Sequence, residues 1–204
     1  RLEGTQLTTK LHVRVSAQTE QGANISDQWT GSELPLAFAS DSNPTDPVSN
    51  VNDKLISFND RPANRWTNWN RTNPEASVGV LFGDSGILSK RSVDNLSVGF
   101  HEDHGVGVPK SYVIEYYVGK TVPTAPKNPS FVGEENHAFN DPANWKEVSN
   151  LKAPAQLKAG EMNHFSFDKV ETYAVRIRMV RLDSKKGTSI TEVQIFAKQV
   201  AAAK

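Results

Sequence analysis

Cysteine is absent from the 204 residues, so no disulfide framework and no thiolate metal site is available, and stability has to come from core burial. That fits a cytosolic protein and equally a bacterial surface domain large enough to stabilise itself. Charge of one sign is lacking too. Lys plus Arg and Asp plus Glu each number 23, for a formal net charge of +0, which argues against a nucleic acid or an anionic membrane as partner because neither would meet a basic surface. No apolar run approaches the roughly 20 residues a membrane helix needs, and no signal-peptide pattern is present. Internal repeats and low-complexity tracts are missing.

Catalytic signatures are also wanting. There is no G-x-S-x-G elbow, no P-loop and no G-x-G-x-x-G after a strand. Glu102 and Asp103 are adjacent, and neighbours on an extended segment point apart, whereas glycoside hydrolysis needs two acids facing each other across a cleft. Enzyme readings thus find little support in the sequence, and a binding module is the better class.

What is present is alternation with period two. Leu11, Val13 and Val15 form one set, Leu96, Val98 and Phe100 another, and Tyr112, Ile114, Tyr116 and Val118 a third. Val175, Ile177 and Met179 alternate with Arg176 and Arg178, and Ile190, Val193 and Ile195 close the series. These read as half-buried antiparallel strands. Only 27–39 and 92–95 hint at a helical turn, and neither is long enough for a helix. The expected fold is an all-β antiparallel sandwich with long loops. Residues 40–52 and 121–144 carry most of the Pro, Asn and Asp, and loops of that length are usually functional or disordered. The chain reads as a piece of something longer: 1–17 as the last strand of a preceding spacer or a lead-in strand, 18–200 as the sandwich, and 201–204 as a tail.

The most informative stretch runs from Asn59 through Asp60, Arg61, Pro62, Ala63, Asn64 and Arg65 to Trp66, Thr67, Asn68 and Trp69. Turn formers stop the backbone and expose oxygens, and two tryptophans follow three residues apart. Trp66 is expected in the core. Trp69, between Asn68 and Asn70-Arg71, has the company of a ring that stacks on the apolar face of a pyranose while amides and charges meet the hydroxyls. Trp145 reads as a strand entry in the core, and Trp29 as a plug under the early loop or a second exposed ring. The run His101-Glu102-Asp103-His104 ends a strand in a Gly-rich loop. It lacks the H-E-x-x-H spacing and reads as a solvated loop or as part of a sugar-contacting rim. His137, in the 121–144 loop, reads as a surface residue or one that approaches the site.

Three segments together resemble the discoidin-like (coagulation factor type C) sandwich, and within it the galactose-binding carbohydrate-binding modules of bacterial surface β-galactosidases. They are Asn59 to Trp69, the region from Val98-Gly99-Phe100 through Pro109 to Tyr116, and the ending from Ala174 to Arg178 and Ile190 to Val193. The similarity spans about 37–197. Glu3-Gly4-Thr5 with the Leu11 to Val15 strand is similar to the last strand of a bacterial Ig-like spacer.

The resemblance implies a jelly roll that binds terminal galactose, lactose or N-acetyllactosamine non-catalytically. It places Trp66 in the core and Trp69 at the sugar, with Asn68, His101, Glu102, Asp103, His104 and Lys185 around it. Thr67 stands where many galactose binders carry His, and the 183–187 loop lacks the aromatic some members have. The resemblance also implies one structural calcium held by Asn59, Asp60, Asn64 and Glu192, an oxygen set that suits a hard cation. The implied setting is extracellular, at a bacterial cell surface or wall through a parent glycosidase, with galactose-terminated glycans as partners and the isolated domain a monomer. The rival readings are a spacer without ligand and a protein- or lipid-binding discoidin domain, the latter expected to show apolar spikes that this chain lacks.

Overall fold

The computed structural model describes residues 22–28 and 33–197. The expected strand over 7–17, Trp29 and the tail 201–204 lie outside the described residues. Thirteen strands are defined among the described ones: β1 Ala23–Asn24, β2 Leu36–Ala39, β3 Trp66–Thr67, β4 Glu75–Leu81, β5 Gly83–Asp84, β6 Ile87–Leu88, β7 Arg91–Phe100, β8 Val106–Gly107, β9 Ser111–Tyr117, β10 Trp145–Glu147, β11 Met162–Thr172, β12 Ala174–Val180 and β13 Gly187–Ala197. One sheet has the order β1-β13-β7-β11, with β3 and β8 also pairing β13; the other runs β10-β9-β12-β4-β2. All pairings are antiparallel except β8 with β13. The molecule is the expected all-β sandwich.

Alternation explains the core between the sheets. Leu96, Val98 and Phe100 of β7 face Val175, Ile177 and Met179 of β12 within one buried cluster that also holds Ile190, Val193 and Ile195. Of the helical hints at 27–39 and 92–95, residues 29–32 lie outside the described residues and the rest is not helical. Residues 36–39 are β2, residues 92–95 belong to β7, and the described residues contain no α-helix. In each case pairing with a neighbouring strand overrides a weak local preference. Val118 lies just beyond β9 and is exposed, so the third apolar set ends one residue short of it.

The second sheet departs more from expectation, because its outer face is not solvated. Leu34, Phe38, Leu81, Tyr117, Val132, Phe139 and Trp145 bury a second cluster there. The 121–144 segment, expected as a long functional or disordered loop, lies over this face in three short 3-10 turns, Pro129–Glu134, Ala138–Asn140 and Pro142–Asn144. Phe139 stacks on Phe38 with centroids 4.3 Å apart and meets Tyr117 edge-on at 5.7 Å. Arg176 points out of β12 yet is buried. Its guanidinium sits 4.0 Å over the Trp145 ring, donates from Nε to Glu115 at 2.7 Å and from Nη1 to the Phe139 carbonyl at 3.1 Å. Burial is tolerable because the ion is paired with Glu115, bonded to a carbonyl and stacked on an aromatic face.

Trp66 ties the 40–52 loop to the sandwich. Its ring is fully buried, and its Nε1 donates to Ser42 Oγ at 2.8 Å and to the Asp41 carbonyl at 3.2 Å. Replacing Trp66 by Ala removes both the packing and the anchor. Equilibrium denaturation should show a loss of about 3–5 kcal/mol of stability, and a variant as stable as the parent would show that the ring is not a core element.

Candidate functional site

The site grows out of the β3–β13 pairing, in which Trp66 opposes Ile190 and Thr67 opposes Ser189. One residue further, Asn68 continues the contact. Its N–H donates to the Thr188 carbonyl at 3.2 Å, and its Oδ1 accepts from the Thr188 N–H at 2.6 Å. Asn68 is 1% exposed, which corrects the expectation that it meets sugar hydroxyls: its side chain is spent on β13. The chain then turns through Asn70 at φ 57, and Asn43 Nδ2 holds the Trp69 carbonyl at 3.1 Å. A rigid main chain thus presents Trp69 outward, 49% exposed.

Trp69 borders a cleft of about 620 Å³ between the 60–69 segment, the 103–106 turn and Lys185. Of the expected rim residues, Trp69, Asp103, His104 and Lys185 line it. Glu102 does not. It is exposed and paired with Lys186 at 3.2 Å. His101 is 4% exposed and lies beneath the rim, with Nε2 2.9 Å from Asp60 Oδ1 and 3.9 Å from Asp103 Oδ2. Its Nε2 nevertheless makes no hydrogen bond, because Asp60 lies off the direction in which the ring nitrogen bonds. The ligand atoms of Asp60, His101 and Asp103 fall within 4.8 Å of one another, a spacing compatible with a divalent metal.

The charges in the cleft are balanced. Asp46, Asp60 and Asp103 stand against Arg61, Arg65 and Lys185. Partial burial raises the Asp103 carboxyl, but the N–H groups of Gly105 and Val106, at 2.7 and 3.0 Å, together with Arg65 and His101 outweigh it and hold it below the usual carboxylate range. Arg65 Nη2 pairs with Asp103 Oδ2 at 2.9 Å, while its Nε and Nη1 are buried without partners. Thr67 lines the cleft and gives its hydroxyl to Asp46 at 2.7 Å. Sequence reading missed Arg61, Arg65 and Asp46 as site residues. The first two sit inside the turn-to-tryptophan segment, whose position in the chain was signal enough to find them; Asp46 lies in a Pro-rich loop with no signal of its own.

The expected calcium ligands do not gather. Asn59 is exposed and hydrogen-bonds Ser57, and Asp60 belongs to the cleft. Asn64 instead donates to both Asp53 oxygens at 3.3 and 3.0 Å. Glu192, fully buried on β13, faces Asp53 and Asp27. Burial and those two negative charges push its carboxyl up to about 9, with the Lys54 backbone N–H acting against them, and neither Glu192 oxygen meets a donor at ordinary geometry. Among the described residues the group whose ligand atoms gather within metal-binding reach is Asp60, His101 and Asp103; Glu192 is a buried acid that senses the negative charges of Asp53 and Asp27.

A family profile described as "Beta-galactosidase-like, Galactose-binding domain" matches residues 37–193. A solved structure from the architecturally intricate, multifunctional β-galactosidase BgaA of Streptococcus pneumoniae is 90% identical, with a TM-score of 0.85 over 87% of this chain and 100% of that one. A chitosan-binding module of a Paenibacillus chitosanase/glucanase shares the fold at 15% identity and TM-score 0.55, over 86% of this chain and 99% of its own. So does the family 32 module of Clostridium perfringens NanJ, solved with galactose, at 16% identity and TM-score 0.51, over 78% and 91%. No curated protein matches the chain. The profile covers most of the sandwich, including Trp66, Trp69 and the cleft between them and β13, and on that ground the chain belongs to the galactose-binding carbohydrate-binding modules of the β-galactosidase-like family, which are non-catalytic.

Proposed function

We propose that the module binds terminal galactose, lactose or N-acetyllactosamine on glycans through the cleft beside Trp69, and that it targets or tethers a larger extracellular glycosidase at a bacterial surface. The observation that carries this reading is the half-exposed Trp69 ring standing over a cleft with three acids and three bases. Stacking the ring on the apolar face of galactose removes apolar surface from water, and the charged groups are placed to exchange hydrogen bonds with hydroxyls. Balanced charge suits a neutral ligand. Asp103, held ionised, is an acceptor; Arg65, Arg61 and Lys185 are donors. Each such bond competes with water, so a single site binds weakly and repeated modules add avidity. The module acts as a monomer in this reading.

The same reading keeps one structural calcium beside Glu192, whose buried carboxyl finds no donor at ordinary geometry and senses the charges of Asp53 and Asp27. A divalent ion there offsets two of the three negative charges and ties the segment around Asp53 to β13.

Two measurements check these assignments. In titration calorimetry Trp69→Ala should lose the heat of lactose binding while keeping the parent melting temperature, with glucose as the non-binding control; unchanged lactose binding would refute the site. For the cation, chelator should lower the melting temperature and calcium restore it. In the chelated protein, folded Glu192 keeps its proton up to about pH 9 whereas the unfolded chain releases it in the ordinary carboxylate range. The folded state therefore binds more protons between those limits, and its stability falls as pH rises from the ordinary carboxylate range towards about 9. Glu192→Gln should flatten that slope, as should calcium. A melt insensitive to chelator at every pH would remove the ion from the proposal.

A further inference from the structure

Trp69 can stand where it does because two of its neighbours have no side chain. A β-carbon on Gly105 would lie 2.7 Å from Trp69 Nε1 and 2.9 Å from Cδ1, closer than carbon atoms approach. One on Gly187 would lie 2.8 Å from the Trp69 main-chain nitrogen and 2.9 Å from Asn68 Oδ1. Neither glycine has a positive φ, so space and not backbone conformation demands glycine at these positions. Gly107, on β8 two residues along, is different. A β-carbon there would sit 3.7 Å from the Glu102 side chain, an ordinary contact.

The turn carrying Gly105 is not free to yield. Asp103 Oδ1 accepts from the N–H groups of Gly105 and Val106, the Asp103 N–H donates to the Val106 carbonyl at 3.0 Å, and the Gly105 carbonyl accepts from Gly187 at 2.9 Å. β8 then pairs with the start of β13. The indole, by contrast, is half exposed and held by its side-chain torsions alone on the solvent side. A methyl group at 105 would displace the ring and leave the turn in place, because rotating an exposed side chain costs less than breaking the hydrogen bonds of the turn.

We propose that Gly105 is the positioning residue of the sugar platform. Its bare α-carbon seats the five-membered ring of Trp69 and thereby sets the tilt at which the rest of the indole faces the cleft, while Gly187 seats the main chain beneath. This inference rests on the reading of Trp69 as the ring that stacks on galactose. Asp103 then acts twice, lining the cleft and fixing the turn that fixes the ring.

The test compares Gly105→Ala with Gly107→Ala, reading the Trp69 indole N–H resonance by NMR, identified by its loss in Trp69→Phe, together with lactose affinity by calorimetry. Gly105→Ala should shift the Trp69 resonance and weaken lactose binding by about tenfold or more, and Gly107→Ala should leave both as in the parent. Any destabilisation by Gly105→Ala should disappear in a Trp69→Ala background, since the clash is with the indole. Destabilisation that persists without the indole, or an unmoved resonance with unchanged lactose affinity, would overturn the proposal. A parent protein that binds no lactose would sink the platform reading of Trp69 alone, and the resonance together with the double variant would still decide whether Gly105 seats the ring.

Discussion

The short antiparallel pairing of Trp66–Thr67 with Ser189–Ile190 is the constraint on which the rest of the site depends. It places Trp66 inward, where its indole N–H fastens the 40–52 loop, and it delivers Asn68 to Thr188 so that the next residue leaves the sheet on a fixed main chain. Strand β13 is the hub of this arrangement. It pairs with β1, β3, β7 and β8 and carries Glu192 in its interior. A single strand therefore connects the core, the cleft beside Trp69 and the buried Glu192, and the cleft inherits the rigidity of the sheet rather than the freedom of a loop.

Two groups of acids show how the environment, not the residue type, assigns the role. Asp103 receives two backbone N–H groups and an arginine and remains a carboxylate despite partial burial. Glu192 receives two further negative charges and deep burial, and its carboxyl is driven up to about 9. The first arrangement is complete by itself and presents an acceptor to solvent. The second avoids a buried unpaired charge by keeping its proton at neutral pH, since burying that charge would be costly.

The outer face of the second sheet explains why so much polar sequence can serve a stable fold without disulfides. The 121–144 segment contributes Val132 and Phe139 to a second buried cluster and covers the Arg176–Glu115 pair. A third layer of turns thus enlarges the buried apolar surface of the sandwich, while at the β3–β13 junction an aromatic ring meets polar groups in the open.

The strand alternation determined the fold class, and the turn running into two tryptophans three residues apart pointed to one buried ring and one exposed ring, Trp66 and Trp69, because periodicity and local turn chemistry are properties of neighbouring residues. What the sequence could not show is which polar groups converge. Asn68 and Asp60 sit beside Trp69 and the expected calcium turn in the chain, yet the first is consumed by Thr188 and the second stands against His101. Asp53 and Asp27, distant from Glu192 in sequence, are the acids that face it. Only the pairing of β3 and β8 with β13 brings Asp46 and Asp103 to the cleft beside Arg65 and Gly105 beneath the indole, since such contacts are set by strand register between segments distant in the chain.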